Sequence, residues 1–318
     1  MAYTKEMKIF SGRASVALAK GICAHLGVPL GEAYVGAFSD GETRVQIGEN
    51  IRGRDVFIVN STSPPVNDHL FELLTLIDAA RRASAERVTA VLPYFGYARQ
   101  DRKDKPRVSI TAKLVSNLLV AAGANRVLTL DLHCGQIQGF FDIPVDHLNS
   151  EKTFVDHLLK REGKRPENMV VVSPDTGSVK RAREVANRLE APLAIVDKRR
   201  PKENESVVMH VIGDVRDRHA IIFDDLIDTG GTLVRAADAL KEKGAVDVMA
   251  CATHAVLSGD AVERINNSDL NEVLFGDSIP LNPEAAASPK IRVLPFAPLI
   301  GEAIRRIHEE ESISILFK

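Results

Sequence analysis

The sequence predicts an α/β protein built from two similar domains, each a parallel sheet flanked by helices. Three observations carry the prediction. The chain has 318 residues, about two domains' worth. Residues 220–244, AIIFDDLIDTGGTLVRAADALKEKG, join an apolar strand, a small-residue loop and an amphipathic helix without interruption. Residues 55–60, then STSPPVND, then HLFELLTLIDAARRASA repeat that order earlier in the chain, and strands at 87–92 and 246–252 follow the two helices. Helices crossing between successive strands make the sheets parallel. The first of the two loops lacks the acidic pair and the Gly-Gly-Thr of the second, so the halves have diverged.

Residues 33–38 (AYVGAF) and 43–47 (TRVQI) predict a hairpin whose Asp40-Gly41 tip supplies the turn. Spacing alone favours that structural reading of FSDGE. A strand ending near Leu92 leads into YARQDRK, where Arg99, Arg102 and Lys103 cluster. Arginine can make forked contacts with phosphate oxygens, although a basic run is also the composition of a solvated loop. His133 follows the TLDL strand, and Asp175 ends VVVSPD. A lone histidine is commonly structural and a lone aspartate after a strand commonly caps a helix. The KRR of 198–200 precedes Pro201 and by itself reads as a solvated turn.

The segment 220–244 is more specific. Ala220 to Phe223 read as a buried strand, and Leu233, Ala236, Ala237 and Leu240 recur at helical spacing before Gly244. The loop is therefore expected at 224–232. Gly230 and Gly231 permit close backbone approach, and the Thr229 and Thr232 hydroxyls can join helix N–H groups around a phosphate. Asp224 and Asp225 would repel a phosphate but can accept hydrogen bonds from ribose hydroxyls. The plainer alternative is a glycine-rich helix start with solvated aspartates.

Composition bounds the rest. With 41 basic and 43 acidic residues, no excess charge draws the chain to nucleic acid or membrane, and phosphate binding must come from local clusters. The 45% hydrophobic content suffices for two cores. Cys23, Cys134 and Cys251 lack CxxC spacing and read as free thiols of a reducing cytoplasm. Cytoplasmic placement is expected, since no segment resembles a leader or a membrane span.

Together these motifs resemble the ribose-phosphate pyrophosphokinase family, with its phosphoribosyltransferase-like fold. The resemblance runs through FSDGE at 38–42, PYFGYARQDRK at 93–103, TLDLHCGQIQGFFDIPVDHL at 129–148, VSPD at 172–175, DKRRP at 197–201, the DDLIDTGGT loop and THAVLSGDAVERI at 253–265. It implies transfer of the β,γ-diphosphoryl group of ATP to the anomeric hydroxyl of ribose 5-phosphate, with Mg2+, giving 5-phosphoribosyl 1-diphosphate and AMP for nucleotide biosynthesis.

By the same resemblance, Phe38 stacks on adenine, Asp40 and Glu42 accept hydrogen bonds from its polar edge, and Gly41, Arg99 and Gln100 also bind ATP. Lys103 and Arg107 are lesser contributors in a mobile cover. His133 and Asp175 sit near magnesium, with Asp131 in support. Lys198 and Arg200 stabilise the transition state, Arg200 also reaching ribose 5-phosphate. Asp224, Asp225, Asp228, Thr229, Gly230, Gly231 and Thr232 bind the sugar phosphate.

Residues 1–149, joined by the tail 300–318, are expected to serve ATP and oligomerisation, and residues 150–299 ribose 5-phosphate. The family further implies a homohexamer with an active site shared between subunits. Inorganic phosphate and ADP are then effectors at an anion site drawn from Arg52, Arg81, Arg82, Ser312 and Ser314. The VSITAK run at 108–113, Ser178 in place of a common glycine, and Gly276 in place of a hydroxyl or amide residue depart from the family pattern. Two other readings remain: a phosphoribosyltransferase, which would consume the activated sugar, and a noncatalytic regulatory homologue with the same fold.

Overall fold

A computed structural model describes residues 6–162, 168–199 and 208–317. In chain order the elements are β1 (Met7–Ser11), α1 (Val16–Leu26), β2 (Ala33–Ala37), β3 (Thr43–Ile47), β4 (Asp55–Val59), α2 (Val66–Arg82), β5 (Arg87–Leu92), α3 (Thr111–Ala122), β6 (Arg126–Leu130) and β7 (Val145–Leu148). There follow α4 (Glu151–Glu162), β8 (Met169–Ser173), α5 (Val179–Leu189), β9 (Leu193–Arg199), β10 (Val208–Ile212), β11 (His219–Ile227) and α6 (Gly231–Glu242). The last elements are β12 (Asp247–Ala255), α7 (Ala261–Asn266), β13 (Glu272–Gly276), α8 (Pro283–Ala287), β14 (Ile291–Leu294) and α9 (Ala297–His308). Two compact units result, one of residues 1–149, 278–280 and 295–318, the other of 150–277 and 281–294.

The first unit holds a five-stranded parallel sheet in the order β1-β4-β5-β6-β7, plus the separate β2–β3 hairpin. Strand β4 is buried at all five positions, DVFIV, because helices cover both faces of a parallel sheet. Helix α2 turns Leu70, Leu73, Leu76, Ile77 and Ala80 inward, a 3.6-residue stripe that meets Val56, Ile58 and Val88 of the sheet in one core. Each such fully buried aliphatic side chain contributes roughly 1.5–3 kcal/mol. Helix α9 lies against α1 so closely that a Cβ at Gly301 would stand 2.8 Å from Cδ2 of His25.

The second unit holds a seven-stranded sheet in the order β10-β9-β8-β11-β12-β13-β14, parallel except where β10 runs against β9. That antiparallel edge is an addition to the expected all-parallel sheet. The core joins Val170, Val172, Ile222, Val248, Ala250 and Val273 of the strands to Leu233, Ala236, Ala237 and Leu240 of α6, the helical residues anticipated from spacing. The loop expected at 224–232 is shorter. Strand β11 continues to Ile227, since its pairing with β12 runs on through Asp224↔Ala252 and Leu226↔His254 to Ile227↔Ala255. With α6 starting at Gly231, only residues 228–230 lie between them.

Candidate active site

The geometry of the second unit explains why its site gathers at one end of the sheet. Strands β8 and β11 are parallel neighbours, paired from His219↔Met169 to Ile222↔Val172. Their carboxyl ends, and the loops that leave them, must therefore emerge side by side, the usual ligand-binding edge of such sheets. Beyond Ile222 strand β11 carries Asp224 and Asp225, and beyond Ser173 the chain turns through Asp175 to α5. The Ser173 hydroxyl donates to the Asp175 carbonyl at 2.7 Å, and the Ser178 N–H donates to Asp175 Oδ1 at 2.8 Å.

Asp225 is buried and Asp224 half-buried. The Asp225 N–H donates to Asp224 Oδ1 at 2.9 Å. Burial pushes the Asp224 carboxyl well above the ordinary carboxylate range, with the charge and hydrogen bond of Asp225 and the charge of Asp175 adding to the rise. Asp228 and Gly230 shape the turn that follows. The Asp228 carbonyl accepts from the Ser258 N–H at 2.9 Å, and the Thr229 carbonyl from Arg264 Nη1 at 2.9 Å. Gly230 stands at φ 73° before the first turn of α6, a left-handed conformation that a Cβ would strain. The exposed Thr229 and half-buried Thr232 flank it, beside helix N–H groups that lack intrahelical acceptors.

In the first unit the hairpin forms as expected. Pairing runs from Ala33↔Ile47 to Ala37↔Thr43. The tip closes with Phe38 N–H to Glu42 O at 2.8 Å and Gly41 N–H to Phe38 O at 3.0 Å, Gly41 standing at φ 94°. Asp40 Oδ1 accepts from the Glu42 N–H at 3.1 Å. The Phe38 ring is half exposed, and Arg44 places its guanidinium carbon 5.4 Å from the Phe38 centroid and 5.3 Å from that of Tyr34. The residue spacing had given no role to Arg44 or Tyr34, yet cross-strand register puts Arg44 opposite Gly36, over which the end of the Tyr34 side chain lies, 2.7 Å from where a Cβ would stand.

Arg99 and Gln100 are exposed on the turn after β5. Gln100 is fixed at its carbonyl end by the Thr111 hydroxyl at 2.5 Å, while the Ala112 N–H reaches its backbone carbonyl at 3.2 Å. Arg102, Lys103 and Arg107 are exposed further along the same loop, and His133 is exposed after β6. A contact absent from the sequence reading links these two loops: Cys134 Sγ donates to Asp101 Oδ2 at 2.9 Å. Burial and the Asp101 carboxylate push the Cys134 thiol up to about 11. All three cysteines are free.

Lys198 belongs to β9 by its backbone, opposite Met209 of β10, and Arg200 lies outside the described residues. Of the five residues expected at an anion site, Arg82, Ser312 and Ser314 have local side-chain partners and Arg52 a backbone one. Arg82 Nε meets Asp78 Oδ2 at 2.7 Å, the Arg52 N–H donates to Asn50 Oδ1 at 3.1 Å, and the Ser312 hydroxyl donates to Ser314 Oγ at 3.1 Å. Arg81 lies beside Gly123, whose Cβ would meet its Cδ. No helix among the described residues is long and apolar enough to cross a membrane, and no cluster of three or more His, Cys, Asp or Glu side chains among them is arranged to hold a metal ion.

Comparison with known proteins decides the family. The profile described as the N-terminal domain of ribose phosphate pyrophosphokinase matches residues 7–123, and that of the phosphoribosyl synthetase-associated domain matches residues 196–318. A ribose-phosphate pyrophosphokinase of Clostridium tetani is 57% identical over 98% of this chain and 98% of its own length. The chain belongs to the ribose-phosphate pyrophosphokinase family. A Campylobacter jejuni member is 56% identical, again over 98% of both chains. The crystal structure of phosphoribosylpyrophosphate synthetase from Mycobacterium smegmatis superposes with a TM-score of 0.90 at 41% identity, covering 96% of this chain and all of the other. The enzyme is thus of the pyrophosphokinase kind, and its fold is that of the family.

Proposed function

We propose that this member of the family transfers the β,γ-diphosphoryl group of ATP to the anomeric hydroxyl of ribose 5-phosphate, releasing AMP and 5-phosphoribosyl 1-diphosphate for nucleotide biosynthesis. The observation that carries the reading is the continuous β11–α6 segment. Asp224 and Asp225 on β11 and the Gly230 helix start are separated by few residues, so acceptors suited to sugar hydroxyls and donors suited to a phosphate lie close together along the chain.

In this reading the second unit binds ribose 5-phosphate through Asp224, Asp225, Asp228, Thr229, Gly230, Gly231 and Thr232. The first unit binds ATP through Phe38, Asp40, Gly41, Glu42, Arg99 and Gln100. The exposed Phe38 ring offers a stacking face for a base, and the carboxylates of Asp40 and Glu42 suit its amino edge better than a triphosphate. The anomeric oxygen attacks the β-phosphorus in line, and the bond to the α,β-bridging oxygen breaks as AMP departs. Lys198 and Arg200 stabilise the charge that develops on the transferring group.

The donor chemistry of the second unit fits a hard divalent cation. Burial, and after it the nearby charges of Asp225 and Asp175, raise the Asp224 proton affinity, and a cation bound at Asp175 would offset the part of that rise due to charge. Asp175, with His133 on the ATP side, would hold Mg2+, water and phosphate oxygens completing its shell. When bound, the ion lowers repulsion between phosphate oxygens and nucleophile. This chain's residues orient the two substrates and exclude water.

The reading extends to cytoplasmic placement and a homohexamer with an active site shared between subunits. Inorganic phosphate activates and ADP inhibits at a site of Arg52, Arg81, Arg82, Ser312 and Ser314. Arginine forks and hydroxyls suit either anion.

One assay tests the core of the proposal. Purified protein given ATP, ribose 5-phosphate and magnesium is expected to form AMP and 5-phosphoribosyl 1-diphosphate in equal amounts. ADP as the stoichiometric product would mark an ordinary kinase, and consumption of the activated sugar with a free base a phosphoribosyltransferase.

A further inference from the structure

Serine at the position before a helix normally caps it, its hydroxyl accepting from an N–H of the first turn. Ser178 occupies that position before α5 at φ −86° and ψ 0°, and its side chain makes no cap hydrogen bond. The hydroxyl is directed elsewhere: Ser178 Oγ donates to Asp224 Oδ1 at 3.1 Å, across 46 residues of sequence. The same residue's N–H donates to Asp175 Oδ1 at 2.8 Å, and its carbonyl accepts the first-turn bond from the Ala182 N–H at 3.0 Å. One residue thus touches a carboxylate on β11 and another on the turn that leaves the neighbouring β8, and it is itself anchored to α5.

We propose that Ser178 is a positioning residue for ribose 5-phosphate, its hydroxyl fixing the orientation of the Asp224 carboxylate while its backbone fixes Asp175. The inference rests on the ribose-reading role given to Asp224. A half-buried carboxylate whose Oδ1 is held by both Ser178 Oγ and the Asp225 N–H turns its remaining lone pairs in one direction, which spares the sugar the cost of ordering it. A glycine or alanine at this position removes the hydroxyl donor and leaves the N–H to Asp175 in place. Its effect should fall on the sugar rather than on the nucleotide.

The test uses the full chain with Ser178→Ala, Ser178→Gly and Ser178→Thr. Three quantities are read: the KM for ribose 5-phosphate, the KM for Mg-ATP, and the calorimetric Kd for ribose 5-phosphate without added metal. Melting temperature checks the fold. Loss of one hydrogen bond is expected to raise the ribose 5-phosphate KM and Kd about 3- to 10-fold in the alanine and glycine variants. Mg-ATP KM and melting temperature stay at wild-type values, and Ser178→Thr, which restores a hydroxyl, returns sugar binding to within about two-fold.

Unchanged sugar binding in both truncations overturns the inference. So does equal weakening of both substrates, or a folded threonine variant no better than alanine. Should the alanine protein fail to fold, the glycine and threonine pair carries the comparison. A wild-type protein that binds ribose 5-phosphate but forms no AMP defeats the proposed activity alone, while the calorimetric series still reads Ser178. Absence of sugar binding by the wild type defeats both.

Discussion

Arg87 and Asp55 form a two-point ion pair across neighbouring strands, Nε to Oδ1 at 2.8 Å and Nη2 to Oδ2 at 2.5 Å, with Asp55 wholly buried. Both residues also hold the C-terminal helix. His308 Nδ1 lies 2.8 Å from Asp55 Oδ2, and Arg87 Nη2 donates to the Ile307 carbonyl at 3.0 Å. The register Asp55↔Arg87 between β4 and β5 thus fixes where α9 ends against the first unit. Truncating Arg87 leaves the buried Asp55 carboxylate with His308 alone beside it. Arg87→Ala is therefore expected to destabilise the protein by about 3–5 kcal/mol, read as a lower denaturation midpoint. A change below about 0.5 kcal/mol would show that water replaces the guanidinium without loss.

Helix α9 carries a second charge cluster in which Glu302 accepts from Arg305 and Arg306, with Nε of Arg305 at 2.9 Å and Nε of Arg306 at 2.7 Å. Arg305, helped by Arg306, holds the Glu302 carboxyl at about 2, against an ordinary 4.5. A carboxylate depressed in the folded state contributes stability that is complete above its unfolded pKa and vanishes as pH falls through the folded one. Glu302→Gln should accordingly lower thermal stability at neutral pH and leave it near wild type at pH 2. The two proteins' melting temperatures should converge between pH 4.5 and about pH 2. Parallel curves throughout would remove Glu302 from the acid dependence.

The Cys134–Asp101 contact predicts a slow thiol. A thiol pushed up to about 11 by burial and by Asp101 is almost wholly protonated at neutral pH, and alkylation requires the thiolate. Iodoacetamide should label Cys134 more slowly than a free thiol in a peptide. Asp101→Asn, which removes the charge but keeps the burial, should speed labelling severalfold while leaving the barrier of burial in place. Labelling indifferent to that substitution would mean that access alone controls the rate.

What the sequence made legible follows the range of the interactions. The hairpin at 33–47 was readable because its turn is local: Gly41 supplies the left-handed residue and Asp40 bonds two residues ahead. Its Arg44 stack depends on the cross-strand register that sets Arg44 opposite Gly36, which the turn alone does not reveal. The apolar run Ala220–Phe223 marked β11 correctly, but the strand's extension through Asp224 and Asp225 depends on β12, a partner that periodicity does not reveal. The pairings of Ser178 with Asp224 and of Cys134 with Asp101 join residues brought near only by neighbouring strand ends, so composition and spacing carried no trace of them.

Lys198 tests the proposed chemistry separately from binding. A cation that acts on charge developing in the transition state affects turnover more than substrate affinity. Lys198→Ala is expected to lose roughly 10² to 10³ in kcat with substrate KM values changed less than about five-fold. Near-normal turnover would reject its assignment. A large KM change with kcat intact would make it a ground-state binding residue instead.

Asp224→Asn asks whether the sugar and nucleotide sides are separate. The substitution keeps the side chain's size and one carbonyl oxygen for the Ser178 hydroxyl and the Asp225 N–H, so the local fold should survive. What it removes is an ionisable acceptor next to Asp225 and Asp175, and with it the ability to accept from ribose hydroxyls on both oxygens. Losing a hydrogen bond to a charged group costs about 1.5–3 kcal/mol, so KM for ribose 5-phosphate should rise at least roughly 10-fold. KM for Mg-ATP should move less than about three-fold, because on this assignment the carboxylate touches only the sugar. A second effect distinguishes this from general damage. A neutral amide in place of Asp224 relieves the cost of burying its charge and then its repulsion with Asp225 and Asp175, which predicts an unchanged or higher melting temperature without substrate. A folded variant whose two KM values rise together would mean that Asp224 serves both substrates, and the division of labour along β11 and α6 would have to be abandoned.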